Sequence, residues 1–333
     1  MKVVIVGSSG RLGAALMREY RGKFDLTGFN HAQLDLADHA QLREKLGPLD
    51  IDLVINAAAF TNVDFCQTQR EEAFRINAEA PRVLAEICRD KNAKLIHFST
   101  DYVFDGEKRE PYGESDEARP ISVYGESKRA GEKLVLQTQD RHLVVRVSWV
   151  FGPDRPSFID GTIKRARESD QVDAIADKFS APTYTRDIAQ MLPHFFAVAE
   201  PTSGGQLLQP TYTNSPTGAA RRSWATQPVE STGCPPGAKR VDVPGGILHF
   251  ANSGECSWQE YAQWAIDCCH AEGVPLKART VEPRRLIDMK NWVARRPVYS
   301  VLSTAKYRAL AGIAPRSWRD AVADYIKNSY SKK

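Results

Sequence analysis

Three glycines spaced three apart, Gly7, Gly10 and Gly13, follow the β-branched run Lys2–Val6 and precede a helical pattern that lasts to Tyr20. That order of strand, tight glycine turn and helix restricts the chain more than any other stretch. A run of Val and Ile suits a strand buried on both faces. Glycine permits the sharp turn and a close backbone approach, and a helix N-terminus attracts negative charge. Together they predict a site for the pyrophosphate of a dinucleotide, with Gly7, Gly10 and Gly13 around it.

Strand-like segments recur at 25–29, 53–56, 94–98 and 143–147, with helical patterns between them, notably 70–89 and 124–138. Alternation of this kind predicts an α/β fold: a Rossmann-type, doubly wound parallel sheet with right-handed crossovers. After about residue 150 the alternation weakens. Helices are expected at 159–167, 185–198, 257–272 and 317–329, with a short strand at 247–250. The expected division is a dinucleotide-binding domain over 1–150 and a smaller C-terminal substrate lobe over 151–330, partly interleaved with it. Residues 201–245 hold seven of the chain's 19 prolines and follow neither period. A flexible insertion over about 203–244 is expected.

Of 333 residues, 26% are charged and the net charge of +4 is spread without a long basic run. This gives no case for nucleic acid and is compatible with a small anionic substrate. No apolar run approaches the roughly 20 residues needed to span a bilayer. The start, MKVVIVGSSG, lacks the apolar region of a signal peptide. The six cysteines show no zinc spacing with histidine, so no metal is expected and a reduced, cytoplasmic protein is.

The stretch from Ser99 to Lys128 carries the chemistry. Tyr124 and Lys128, four apart, fall on one helical face. A lysine ammonium beside a phenol lowers its pKa from about 10, making tyrosine a usable proton donor. Thr100 stands 24 residues before Tyr124, at the C-terminal end of a strand, where open α/β sheets bind ligands. Two hydroxyls there can polarise a ketone oxygen. Trp149 follows the strand 143–147 and is expected at the same edge. Asn56-Ala57-Ala58-Ala59 ends another strand, its small residues leaving room for a cofactor. Asn30-His31 follows the second strand, with neither an acid to repel a 2′-phosphate nor an arginine to attract one. NADH and NADPH both remain open; Asp35 and Leu36 are candidate neighbours of the adenine. His97, inside a strand, reads as a packed core histidine.

These residues resemble the extended short-chain dehydrogenase/reductase superfamily and, more narrowly, the dTDP-4-dehydrorhamnose reductases. The likeness runs through VINAAAFTNVDFCQ, FRINAEAP, STDYVFDG, SVYGESKRAGEKLV, VVRVSWVFGP, ADKFSAPTYTRDIA and RRPVYSVLSTAKY. It implies reduction by NADH or NADPH of the 4-keto group of a nucleotide-linked 6-deoxyhexose, most simply dTDP-4-dehydro-L-rhamnose. It implies Tyr124 as proton donor, Lys128 as its partner and a ribose ligand, Thr100 as the residue orienting the ketone, Asp101 and Trp149 as sugar-nucleotide contacts, Gly10, Arg11 and Leu12 as pyrophosphate contacts, and Ala57 to Ala59 as cofactor lining. It also implies a homodimer. The chain departs from the pattern at Asp154-Arg-Pro-Ser-Phe158, at Ser180 in place of glycine, and at Tyr299 in place of asparagine. A non-catalytic dinucleotide-binding regulatory subunit and an epimerase of the same fold stay open as alternatives.

Overall fold

The computed structural model describes residues 1–196 and 245–331. The expected insertion at 203–244 lies outside them, as does the end of the helix expected to reach residue 198.

Six strands form one parallel sheet: β1 (Lys2–Val6), β2 (Asp25–Phe29), β3 (Leu53–Asn56), β4 (Lys94–Thr100), β5 (Leu143–Val147) and a late strand, Gly246–His249. The late strand pairs with β5, so the spatial order is Gly246–His249, β5, β4, β3, β1, β2. Val6 is in register with Phe29 and Asn56, Asn56 with His97, and Thr100 with Val147. All these C-terminal ends therefore open at one edge, where the strand order reverses around β1 and β3 and ligands bind in such sheets.

The helices of this half are α1 (Arg11–Tyr20), α2 (His39–Leu46), α3 (Val63–Thr68), α4 (Arg70–Phe74), α5 (Ala80–Asp90) and α6 (Val123–Thr138). The helix expected over 70–89 is interrupted by a π turn at Arg75–Glu79. Asn77 in that turn bonds both backbone groups of Phe60 and the Ser127 hydroxyl of α6, so the irregular turn is pinned rather than loose.

The later elements are β6 (Val150–Phe151), α7 (Phe158–Glu168), β7 (Val172–Ile175), β8 (Phe179–Ser180), β9 (Thr183–Tyr184), α8 (Thr185–Met191), β10 (Gly246–His249, the late strand), β11 (Cys256–Ser257), α9 (Trp258–Ala271), β12 (Val281–Arg284), α10 (Ala305–Ala311) and α11 (Trp318–Ser329). A boundary at residue 150 describes only part of the packing. Ile188, Leu192, Phe195, Leu248 and Phe250 share one buried core with Val3, Ile5, Leu16 and Val145 of the sheet. A separate aromatic core joins Phe151, Tyr184, Tyr261, Trp318 and Tyr325. Helices α7 and α9 both begin on a reciprocal cap, Ser157 with Asp160 and Ser257 with Glu260. Among the described residues no helix is long and apolar enough to cross a membrane.

Candidate active site

The glycine turn is built as its spacing requires. Gly7 takes φ +84°, a left-handed conformation that glycine adopts without strain, and its N–H donates to the Phe29 carbonyl at 2.8 Å. A β-carbon on Gly13 would collide with the Gly7 carbonyl oxygen, and one on Gly7 would meet Ala58. Helix α1 starts at Gly10 with no side-chain cap and no acid in its first turn, leaving its first N–H groups for an anion. A dinucleotide pyrophosphate fits this cradle.

The surrounding candidates take different places. Leu12 is buried under the turn. Arg11 points across to the substrate side, its guanidinium donating to the carbonyls of Arg155 and Pro156. Arg155 returns a bond to the Ser9 carbonyl at 2.9 Å, and Asp154 pairs with Arg18. The departing segment 154–158 thus docks onto the glycine turn. Ala57 continues the β1 ladder, donating to the Val6 carbonyl at 3.0 Å, and Ala58 and Ala59 lie half-buried at the same edge. Asn30 and Gln33 bond each other reciprocally at 3.1 Å after β2. Asp35 accepts from the Ala37 N–H, and Leu36 is buried in the core beneath.

Thr100 ends β4. Its hydroxyl lies 3.1 Å from Asp101 Oδ1 and against the Tyr124 phenol. Tyr124 is the second residue of α6, whose start is capped by the Ser122 hydroxyl on the Gly125 N–H. Its ring meets Tyr102 edge-on at 5.6 Å. The expected lowering of its pKa is not what this geometry gives. Burial pushes the phenol above its ordinary value, and it is the Thr100 hydroxyl that opposes the rise. Lys128 is engaged elsewhere: Nζ lies 2.7 Å from the Phe98 carbonyl and 3.2 Å from His97 Nε2. Burial lowers this lysine to about 8. His97 is buried, as expected of a core histidine, but it is also bonded into the site.

Asp101 is held from three sides. Ser300 Oγ and Ser180 Oγ donate to Oδ2 at 2.5 and 3.2 Å, and Thr100 meets Oδ1. Its burial raises its pKa. The two departures near it have partners of their own: Ser180 binds this carboxylate, and the Tyr299 hydroxyl donates to Glu255 Oε2 at 2.5 Å. Trp149 stands at the edge at φ +41°, rare for a side chain this large, with its ring against Trp258 and Tyr261. Its indole Nε1 is buried without a hydrogen-bond partner among the described residues.

Sequence reasoning missed Lys178. This residue is fully buried between the rings of Tyr102 at 5.1 Å and Trp149 at 5.5 Å, and its Nζ also has no hydrogen-bond partner among the described residues. Burial, offset in part by Asp101, lowers it to about 8. Trp149 Nε1 and Lys178 Nζ, donors of adjacent side chains, can both be met by polar atoms of a ligand. The sole sequence signal was a lysine inside the motif ADKFSAP.

A parallel dinucleotide-type sheet, a glycine turn at the first strand and a Thr-Tyr-Lys set at the edge of the fourth define an extended short-chain dehydrogenase/reductase, a class of NAD(P)-dependent oxidoreductases. The family model for the RmlD substrate binding domain matches residues 1–208 and 206–331, and the chain belongs to that family. It is 30% identical to the spore coat polysaccharide biosynthesis protein SpsK of Bacillus subtilis, over 99% of this chain and 98% of that one. It is 31% identical to the dTDP-4-dehydrorhamnose reductase of Streptomyces griseus, over 96% and 91%. The crystal structure of dTDP-4-dehydrorhamnose reductase from Bacillus anthracis in complex with NADP superposes with a TM-score of 0.80 at 26% identity, covering 98% of this chain and 99% of that one.

Proposed function

We propose that the protein reduces the 4-keto group of a dTDP-linked 6-deoxyhexose, dTDP-4-dehydro-L-rhamnose, to give dTDP-L-rhamnose. The observation that carries the reading is the placement of the Thr100 and Tyr124 hydroxyls together at the sheet edge, beside a turn shaped for a pyrophosphate. The relatives named as dTDP-4-dehydrorhamnose reductases, one of them holding NADP, support both the substrate and the cofactor.

NADPH or NADH, when bound, supplies the hydride. The chain's own groups do the rest. Thr100 hydrogen-bonds the ketone oxygen and Tyr124 protonates the alkoxide that develops there. Residues around the glycine turn and Ala57 to Ala59 hold the cofactor. Trp149, Lys178 and the cluster around Asp101 line the sugar side, with the aromatic core of Phe151, Tyr261 and Trp318 as their support.

Purified protein, NADPH or NADH and dTDP-4-dehydro-L-rhamnose test the reading by loss of reduced nicotinamide absorbance. Stoichiometric consumption with formation of dTDP-L-rhamnose is expected. Epimerised product without net consumption would make the protein an epimerase. Tight cofactor binding without turnover across a panel of 4-keto-sugar nucleotides would make it a regulatory subunit.

A further inference from the structure

The hydrogen bonds behind Lys128 fix where a proton lies. Asn56 Oδ1 accepts the backbone N–H of Ala58 at 3.1 Å, and this orients the side-chain amide. Its Nδ2, which has only hydrogens to offer, therefore faces His97 Nδ1 at 3.1 Å. Flipping the amide would set two donors against each other at Ala58. His97 Nδ1 is thus an acceptor. The ring is wholly buried, and burial together with Lys128 pushes its pKa well below the ordinary value, so it is neutral and carries one proton. With Nδ1 accepting, that proton is on Nε2, which points at Lys128 Nζ 3.2 Å away. An N–H directed at an ammonium is repulsive; directed at a free amine it is a hydrogen bond. The amine keeps its own hydrogens, one of which goes to the Phe98 carbonyl at 2.7 Å.

We propose that Asn56 locks His97 in its Nε2–H tautomer, and that His97 in turn favours the free amine of Lys128 over its ammonium. His97 is a positioning residue, acting on the site through Lys128. The other titratable groups facing Lys128 are Glu132 and Tyr124 on its own helix and Cys66 from α3. Glu132 and Cys66 both favour the ammonium, and Glu132 is committed to Arg146, so neither accounts for a free amine. Burial and the His97 N–H do.

The consequence for turnover rests on the reductase reading; the tautomer does not. Each reduction draws one proton from solution, because Tyr124 gives its own to the alkoxide and must regain one. A lysine near 8 can take up and release a proton around neutrality, whereas one at the ordinary 10.5 would retain it.

Two experiments test this. In cofactor-free protein carrying 15N-labelled histidine, long-range 15N–1H correlations report which ring nitrogen is protonated, independently of any activity and of any substitution. The expected pattern for His97, identified by its contacts with Ile96 and Phe98, is Nε2–H; an Nδ1–H or doubly protonated ring would overturn the proposal. The second is the alkaline limb of the kcat/KM profile. His97→Leu removes a donor to the amine, so the limb should move to higher pH by about one unit. Movement to lower pH would mean that His97 accepts from an ammonium, and no movement would mean that it does not act on Lys128. Either result overturns the proposal. A protein inactive on every substrate but showing Nε2–H would retain the tautomer and lose only the reductase reading.

Discussion

Glu132 and Arg146 form a buried two-pronged ion pair: Arg146 Nε and Nη2 donate to the two carboxylate oxygens at 2.7 Å each, with both side chains essentially inaccessible. Ser99 Oγ adds a third bond to Glu132 Oε1 at 2.6 Å, and Arg146 Nη1 lies 3.3 Å from His249 Nε2. This network fastens α6, which bears Tyr124 and Lys128, to β4, β5 and β10 at once. Removing one partner of such a pair leaves an uncompensated buried charge. Glu132→Ala should therefore cost about 3–5 kcal/mol of folding stability, read as a lower denaturant midpoint. Loss below 1 kcal/mol would show the pair to be structurally idle.

Replacing Tyr124 by Phe keeps the ring that packs on Tyr102 and removes only the hydroxyl. Turnover on the proposed substrate should fall by roughly 10²–10⁴, the usual worth of a positioned proton donor. Cofactor affinity, measured by nicotinamide fluorescence, should stay near wild type. Full activity in this variant would displace Tyr124 from its role.

Gly13→Ala tests the cradle. The added methyl must push against the Gly7 carbonyl, so the turn opens where the pyrophosphate would lie. Cofactor affinity should weaken roughly tenfold or more, as titration of NADPH into the variant would reveal, and the melting temperature should fall as well because the clash is with backbone.

Lys178→Met removes a buried cation that has no hydrogen-bond partner among the described residues. Stability should hold or rise, because the desolvation of that charge is relieved, while KM for the sugar nucleotide rises several-fold if Nζ meets the ligand. In the wild type, the folded-state values of Lys128 and Lys178 lie near 8, below the ordinary 10.5. Between those limits the unfolded chain binds more protons, so stability from these groups grows as pH rises through 8 and is lost as pH falls through it.

The buried histidines set the acid side. Burial lowers His142 to about 4 and His249 to about 3, from an ordinary 6.5. Below 6.5 the unfolded chain takes up protons that the folded chain refuses. Each group should then contribute a loss of about 1.4 kcal/mol per pH unit until its folded value is reached. Urea midpoints measured from pH 7 to 4 should decline, and His249→Gln should flatten the slope.

Much of this architecture was legible in the chain itself, and the limits follow from what periodicity reports. Five strands, the glycine turn and the helix from Val123 stand where alternation and spacing put them, because buried parallel strands such as β1, β3 and β5 leave nearly continuous apolar runs. Those patterns report burial, not partners. Burial of His97 was foreseeable; its contact with Lys128, 31 residues away, depends on the packing of α6 against β4. Lys178, inside ADKFSAP, gave no sign of its burial because a lysine in a short motif ordinarily faces water. The phenol of Tyr124 rises rather than falls because it is buried, while Lys128, expected to lower it, bonds instead to Phe98 and His97. The π turn at 75–79 was hidden inside an otherwise unbroken helical pattern.

The strand Gly246–His249 completes the sheet from nearly three-quarters of the way along the chain. During synthesis, β1 to β5 and the helix carrying Tyr124 leave the ribosome well before their last neighbour exists. Until residues 246–249 arrive, β5 presents an open edge and Arg146 lacks the imidazole of His249. A nascent chain stalled before that point would carry a complete Thr-Tyr-Lys set on an unfinished sheet, with a row of unpaired backbone groups open to other chains.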